Sequence, residues 1–257
     1  MTEVKKETDW IKEGKSLAFI IFIALLIRTL LIEPFFIPSS SMNNTLLEGD
    51  YIFSTKYSYG YSKHSLLFFT PESWSGRVLA AEPKAGDIVI FRPPHAMHMR
   101  YIKRLIGMPG DKIQVINSVV YVNDQPLKRE YLANIKNSDD EMYKEYKETL
   151  PNGVEYNILQ LANEEGRAAV VNNTPVFNVP AGSYFFMGDN RDNSNDSRAD
   201  LGFVPFENFI AKARFIYFSD SKYLWLFNTS IKEQLAQVYH WLVAIRVGRL
   251  FKSVYSL

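Results

Sequence analysis

A serine hydroxyl cuts a peptide bond only when some other group takes its proton, and this chain offers few groups able to do so. It has no cysteine and four histidines, His64, His95, His98 and His240. None of them forms a His-Glu-x-x-His pattern, and His95-Ala-Met-His98 lies between prolines and a strand with no acidic third ligand close by. Thiolate chemistry is therefore excluded, and neither a metal nor a cofactor is expected. What remains is an amine stripped of water. Ser39-Ser40-Ser41 sits between an apolar Ile37-Pro38 and Met42, and Lys103 sits within Tyr101-Ile102-Lys103-Arg104-Leu105-Ile106. Alternation along a strand places Lys103 on the face shared by Tyr101 and Leu105. Burial there would bring the ammonium well below its ordinary ~10.4 and make it a general base near neutral pH. A bland account also fits each piece: three serines after Ile-Pro make a loop, and a lysine at a strand edge snorkels to water.

The elements needed to hold such a pair are visible in the pattern. Gly86-Asp87-Ile88-Val89-Ile90-Phe91, ended by Pro93-Pro94, reads as a buried strand, and Tyr101 to Ile106, closed by Gly107-Met108-Pro109-Gly110-Asp111, reads as a second. Tyr184 to Met187 is a third, running directly into the polar stretch Gly188-Asp189-Asn190-Arg191-Asp192-Asn193-Ser194-Asn195-Asp196-Ser197-Arg198. Such a stretch must bond to itself or to a neighbour. It is not a calcium loop, because the sixth position is Ser197 and the twelfth is Phe203, where glycine and glutamate are needed. It reads as a hydrogen-bonded support for a nearby site.

The rest of the chain divides around that core. Of 257 residues, 47% are apolar and 22% charged, which suits a folded chain, and 29 basic against 28 acidic residues speak against nucleic-acid binding. Residues 1–16 read as a cytoplasmic N-terminus and 17–36 as a transmembrane anchor, whose apolar run Leu17 to Ile32 is shorter than the ~20 residues of an easy span. Trp10 and Phe35-Phe36 would lie at the interfaces and Arg28 would snorkel. Lysines precede the run and no basic residue follows Arg28 until Lys56, which orients the rest of the chain across the membrane. Ile32-Glu33-Pro34-Phe35-Phe36 is unlike a signal-peptide cleavage site, so the anchor is expected to stay attached. Residues 37–110 and 182–230 form a main β domain. Residues 111–181 form a smaller inserted β subdomain, with a hairpin at Asn117-Ser118, a charged, loop-like stretch from Asn134 to Leu150, and short strands at Val154–Leu161, Ala168–Val171 and Val176–Val179. Ser54 to Lys84 reads as an irregular excursion. Residues 231–257 read as a basic amphipathic helix. Ile231, Leu235, Val238, Leu242 and Ile245 make its stripe, and Trp241, Arg246, Arg249 and Lys252 are suited to an anionic bilayer surface.

Four stretches together carry a resemblance: Ile37 to Met42, Gly86 to Phe91, Tyr101 to Asp111, and Gly188 to Arg198. In this order behind an apolar N-terminal segment, they make the chain similar to the bacterial type I signal (leader) peptidases, serine proteases with a Ser/Lys dyad, over about Glu33 to Phe218. The resemblance implies a mainly β fold behind a single-pass anchor, in the bacterial inner membrane, with the catalytic domain on the extracytoplasmic side. It implies an enzyme that cleaves preproteins after small-x-small motifs, and a monomer is expected. It further implies Ser41 as nucleophile, Lys103 as general base, the Ser39 hydroxyl and Ser41 N–H as oxyanion hole, and Ser194 as the hydroxyl orienting Lys103, with Asp189, Asp196 and Arg198 in support. Phe35, Ile37, Met42, Leu46, Tyr101 and Ile102 would shape the substrate pockets. The chain departs from the family pattern at Ser40, where glycine is common, and at Asn44, where proline is common. Two other readings fit the sequence: a self-cleaving Ser/Lys regulator of similar fold, which the anchor disfavours, and a membrane-tethered β-rich binding module. A Ser-x-x-Lys acyltransferase at Ser219-Asp220-Ser221-Lys222 fits poorly, since that stretch follows a strand as a turn would.

Overall fold

The structure, a computed structural model, describes residues 10–66, 73–136, 141–163, 171–221 and 244–256. After helix α1 (Trp10–Leu30), the described residues are organised mainly as β-strands. Seven form one antiparallel sheet in the order β1 (Ile32–Phe36), β2 (Asp50–Thr55), β14 (Phe209–Ser219), β3 (Ile88–Phe91), β4 (Tyr101–Gly107), β12 (Ser183–Met187) and β13 (Val204–Pro205). The order follows from burial. Ile88 and Ile90 of β3 enter one apolar cluster with Ile37, Ile52 and Ile216, while Val89 and Phe91 enter another with Leu105, Phe186 and Phe209. A strand covered on both faces must be apolar throughout, as the Ile-Val-Ile-Phe run is. The long β14 shifts register three times against its neighbours, and such bulges bend a strand and raise its twist. Sheet curvature therefore enters at the strand that pairs with both β2 and β3.

Between β4 and β12 the chain makes two smaller sheets. One contains β5 (Lys112–Ile116), β6 (Val119–Val122), β7 (Gln125–Pro126) and β11 (Phe177–Asn178) in the order β11-β5-β6-β7. Its β5–β6 hairpin turns at Asn117 and Ser118, both with positive φ, the backbone a two-residue turn needs between right-twisted strands. The other contains β8 (Lys128–Lys136), β9 (Met142–Thr149) and β10 (Glu155–Leu161) in the order β10-β9-β8. One cluster joins both sets of strands, since Ile113, Val120 and Ile158 pack with Ile106, Phe185 and Met187 of the large sheet.

Several expectations are corrected. The stretch from Asn134 to Leu150 is mostly strand, because opposite charges face each other across β8 and β9, as at Glu130 with Lys147 and Arg129 with Glu148, and Tyr131 meets Tyr146 at 5.8 Å. Cross-strand pairs of this kind hold a ribbon that is polar on both faces, so no apolar alternation marks it. The anchor does not extend to residue 36: α1 ends at Leu30, and Ile32–Phe36 is an edge strand paired with β2, a place that tolerates Pro34. Among the described residues no helix is long and apolar enough to cross a membrane. The uncharged stretch between Lys15 and Arg28 measures only ~18 Å at ~1.5 Å per residue.

Most of the expected C-terminal helix, like most of the strand expected at Ala168–Val171, lies outside the described residues. Ala244 is helical, but from Ile245 on the described part is not. A short 3₁₀ turn at Val247–Arg249 is followed by a strap on β14 through a bridge between Phe215 and Ser253. Arg246 and Arg249, expected to face lipid headgroups, are held on the buried Asp50 carboxylate at 3.4 and 2.6 Å. Arg249 also donates to the Thr45 carbonyl, and Val254 packs with Met42 and Leu46. An isolated buried carboxylate is so costly that it captures any cation within reach, and these two arginines are the ones it captures.

Candidate active site

Ser41 lies on a single 3₁₀ turn, Ser40–Met42, directly after β1 and the extended Ile37-Pro38-Ser39. The turn is anchored from below by Met42 and Leu46, both fully buried in the core, and from the side by the loop after β12. Asn190 donates its backbone N–H to the Ser41 carbonyl at 3.1 Å and its amide to the Ser40 carbonyl at 3.1 Å, while Asn193 donates to Ser40 Oγ at 2.9 Å. From β4, Lys103 brings its Nζ to 2.5 Å from Ser41 Oγ. Lys103 is 5% exposed and Ser41 8%. Burial lowers the Lys103 pKa to about 8; the Asp196 and Asp189 carboxylates oppose this and Arg198 adds to it. The buried amine is thus partly neutral near physiological pH, so its lone pair can accept the serine proton.

Among the described residues three ion pairs fix the loop from Gly188 to Arg198, two of them beside the dyad. Arg104 forks onto Asp189 at 2.8 and 2.7 Å, and Thr45 donates to the same carboxylate at 2.5 Å, joining the residues after Ser41 to the loop. Arg198 holds Asp196 at 3.0 and 2.8 Å, and the Gly188 N–H donates to Asp196 at 3.0 Å. Burial would raise Asp196, yet Arg198 together with the Gly188 N–H and Ser194 outweighs it, and the carboxyl stays below its ordinary value. Ser194 is buried, and its hydroxyl is among the groups that favour the Asp196 carboxylate. Ser194→Ala is expected to lower kcat about tenfold with a smaller change in KM, since the hydroxyl steadies charges beside the amine without joining bond making. Steady-state kinetics of that variant are the check, and parent-like kcat would make the loop purely structural.

The second small sheet braces this loop from outside. Leu159 N–H donates to the Asp189 carbonyl, Arg191 N–H returns to the Leu159 carbonyl, and Leu161 N–H reaches the Asp192 carboxylate at 2.7 Å. Arg191 is clamped by Glu148, which also accepts from Tyr156 at 2.7 Å. Asn44, in a left-handed conformation with φ 89, donates to Glu145 at 2.8 Å. A proline ring cannot adopt that φ, so asparagine suits the backbone where the family pattern often has proline. Glu148→Ala is expected to cost about 3–5 kcal/mol of stability, because it leaves the Arg191 guanidinium buried without its partner. Denaturant unfolding measures it.

A cleft of about 550 Å³ opens over Ser41 and Lys103. Phe35, Ile37, Tyr101 and Ile102, which the resemblance implies for the substrate pockets, line it together with Ser39, whereas Met42 and Leu46 lie fully buried in the apolar cluster beneath. Ser39 is exposed there, and its hydroxyl makes no cap on the turn it precedes. The cleft also takes Phe36, Ile90, Met99, Arg100, Asn193 and Asn195, which sequence reasoning did not single out as lining residues. Proximity to Tyr101 was the one signal for Arg100, and position within the polar loop the signal for the asparagines. No group of residues suited to a metal ion occurs among the described residues.

The family described as signal peptidase, peptidase S26, matches residues 8–218. The chain belongs to this family. Among similar proteins, the signal peptidase I of Rickettsia prowazekii (strain Madrid E) is 52% identical over 249 residues, 96% of this chain and 94% of its own length. That of Rickettsia canadensis (strain McKiel) is 51% identical over 248 residues, 95% and 94% of the two chains. A crystal structure of a signal peptidase I from Enterococcus faecalis V583 is 28% identical, covering 51% of this chain and 97% of its own, with a TM-score of 0.31, too low to bear on the fold. Membership in a signal peptidase family disfavours both the self-cleaving regulator and the non-enzymatic module.

Proposed function

We propose that this chain is a serine endopeptidase that removes N-terminal signal peptides from exported preproteins, with Ser41 as nucleophile and Lys103 as general base. The observation that carries the reading is the 2.5 Å approach of Lys103 Nζ to Ser41 Oγ, both buried at the base of an open cleft. Neutral Lys103 takes the serine proton as Oγ attacks the carbonyl carbon of the scissile bond. The oxyanion is met by the Ser41 N–H and the Ser39 hydroxyl, donors of a kind worth ~2.7 to 4 kcal/mol each. Lys103 then gives its proton to the departing amine, leaving an ester on Ser41, and next takes a proton from the water that hydrolyses it. Ser194, Asp189, Asp196 and Arg198 orient the pair. Phe35, Ile37, Tyr101 and Ile102 accept the small side chains of an Ala-x-Ala end.

In this reading α1 holds the enzyme at the bacterial inner membrane, single-pass and with its N-terminus in the cytoplasm. Its apolar residues Leu17, Phe19, Ile20 and Phe22 are exposed on every side, and a helix apolar all round is stable when lipid covers it. Its full 21 residues reach ~32 Å at ~1.5 Å each, enough for a ~30 Å hydrocarbon layer once Lys12, Lys15 and Arg28 snorkel to its edges. Every group of the site comes from one chain, so a monomer suffices, with no cofactor.

The test is incubation of the detergent-solubilised protein with a preprotein carrying an Ala-x-Ala end. A single cut after the second alanine, abolished when that alanine becomes tryptophan, is the expected result, and cleavage elsewhere or none would overturn the reading. Cleavage should also report the amine. Below about pH 8 kcat/KM is expected to fall tenfold per pH unit, as Lys103 gains the proton that blocks it, and to level off above. The limb should persist when all four histidines are replaced.

A further inference from the structure

A charged side chain, Arg100, lines the otherwise largely apolar cleft, and the proposed mechanism leaves it without a task. Arg100 donates from Nη1 to Glu33 Oε1 at 2.9 Å, and the other oxygen of that carboxylate is taken by Lys56 at 2.7 Å. Glu33 and Lys56 are both almost completely buried, whereas 40% of the Arg100 side chain remains in solvent. The guanidinium also lies over the Phe35 ring, 5.2 Å from its centre. Two cations on one carboxylate leave a net positive charge, held in place at the rim rather than swinging free.

Its position along the cleft assigns it a substrate residue. Arg100 precedes Lys103 by three residues on the approach to β4, a separation of ~10 Å at ~3.3 Å per residue. Its partner Glu33 lies in β1 close to where α1 ends. A substrate whose apolar helix is embedded in the bilayer enters from that end, extended, with the residues before the cut meeting Arg100 first. Side chains of an extended chain alternate. If the first and third residues before the cut point into the cleft, the fourth points to the rim about 10 Å from the dyad.

We propose that Arg100 selects substrates by charge at the fourth residue before the cut, favouring acidic side chains and rejecting basic ones. This rests on the peptidase reading above. A like charge opposite a fixed cation is a repulsive device, and repulsion discriminates as well as attraction does. The pair would be partly solvated, so the expected discrimination is modest, about five- to tenfold in kcat/KM between glutamate and lysine.

The experiment uses the full chain in detergent and three preproteins differing only at that position, with alanine, glutamate or lysine. For the parent, the glutamate substrate should be cut about five- to tenfold more efficiently than the lysine one, and the ratio should shrink in 1 M salt. Arg100→Lys should keep the ratio, Arg100→Gln should bring it near one, and Arg100→Glu should invert it. The ratio is internal to each variant, so a general loss of activity does not mimic the effect. Equal ratios in the parent and Arg100→Gln, with the alanine substrate still cut at the expected bond, overturn charge selection and leave the peptidase reading standing. Failure of the parent to cut any of the three overturns both.

Discussion

Lys103→Met is expected to abolish preprotein cleavage and, at the same time, to make the protein more stable. The loss of activity, at least about a hundredfold, follows from removing half of a cooperating pair, and Ser41→Ala should lose about as much because neither half works alone. Arg at 103 should be inactive at any accessible pH, since a guanidinium does not give up its proton. The gain in stability follows from linkage. Burial holds the amine at about 8 in the folded protein against 10.5 when unfolded, so folding must neutralise or desolvate a charge that water would keep. That cost is complete below about pH 8, where it amounts to ~3 kcal/mol, fades between 8 and 10.5, and is absent above. Methionine has similar volume and no charge to strip. Denaturant midpoints of parent and Lys103→Met at pH 7 and pH 10.5 should therefore differ strongly at the lower pH and little at the higher. A variant no more stable than the parent at pH 7, or one that still processes preprotein above a hundredth of the parent rate, contradicts the assignment.

Gly188→Ala is expected to cost about as much activity without touching a reacting atom. A Cβ on residue 188 would lie 2.5 Å from the Ser41 carbonyl oxygen and 2.6 Å from Ser194 Cβ. Real Cβ atoms do not approach other atoms so closely, so something must move. One neighbour is the backbone of the nucleophile itself, held there by the Asn190 N–H, and the other is Ser194, itself buried. Neither is the free end of a flexible side chain. Displacing Ser41 by even ~1 Å from its base costs on the order of a hundredfold in rate, whereas overpacking at one buried site costs ~1–3 kcal/mol. The variant should be folded by circular dichroism and nearly inactive. Activity within threefold of the parent would show that the loop can yield without moving Ser41.

Much of the candidate site was legible because chemistry restricts residue types more tightly than folding does. With no cysteine and no usable histidine pattern, a serine needs an amine, and one lysine stood inside an apolar strand. The β3 and β4 strands were readable for the same reason that they are central: covered on both faces, they are apolar without interruption. The polar loop after β12 announced itself because ten-odd hydrogen-bonding side chains next to a core strand demand partners. The resemblance to signal peptidases then joined these stretches in one order.

What the sequence by itself determined about this protein is the set of groups able to react, the strands that must be buried, and the apolar helix that precedes them. The tertiary structure alone decided how they meet. Ile32–Phe36 looked like the end of an apolar anchor, but strand pairing and the burial of Glu33 against Lys56 and Arg100 made it the edge of the sheet. Met42 and Leu46 looked like pocket walls, but the turn around Ser41 drives them into the core. Arg246 and Arg249 looked like a basic face for lipid, but Asp50, nearly two hundred residues earlier in the chain, claims both. In each case the deciding partner is distant in sequence. Periodicity and propensity act over a few residues, whereas the cost of an unpaired buried charge and the gain from filling a core act wherever the chain returns.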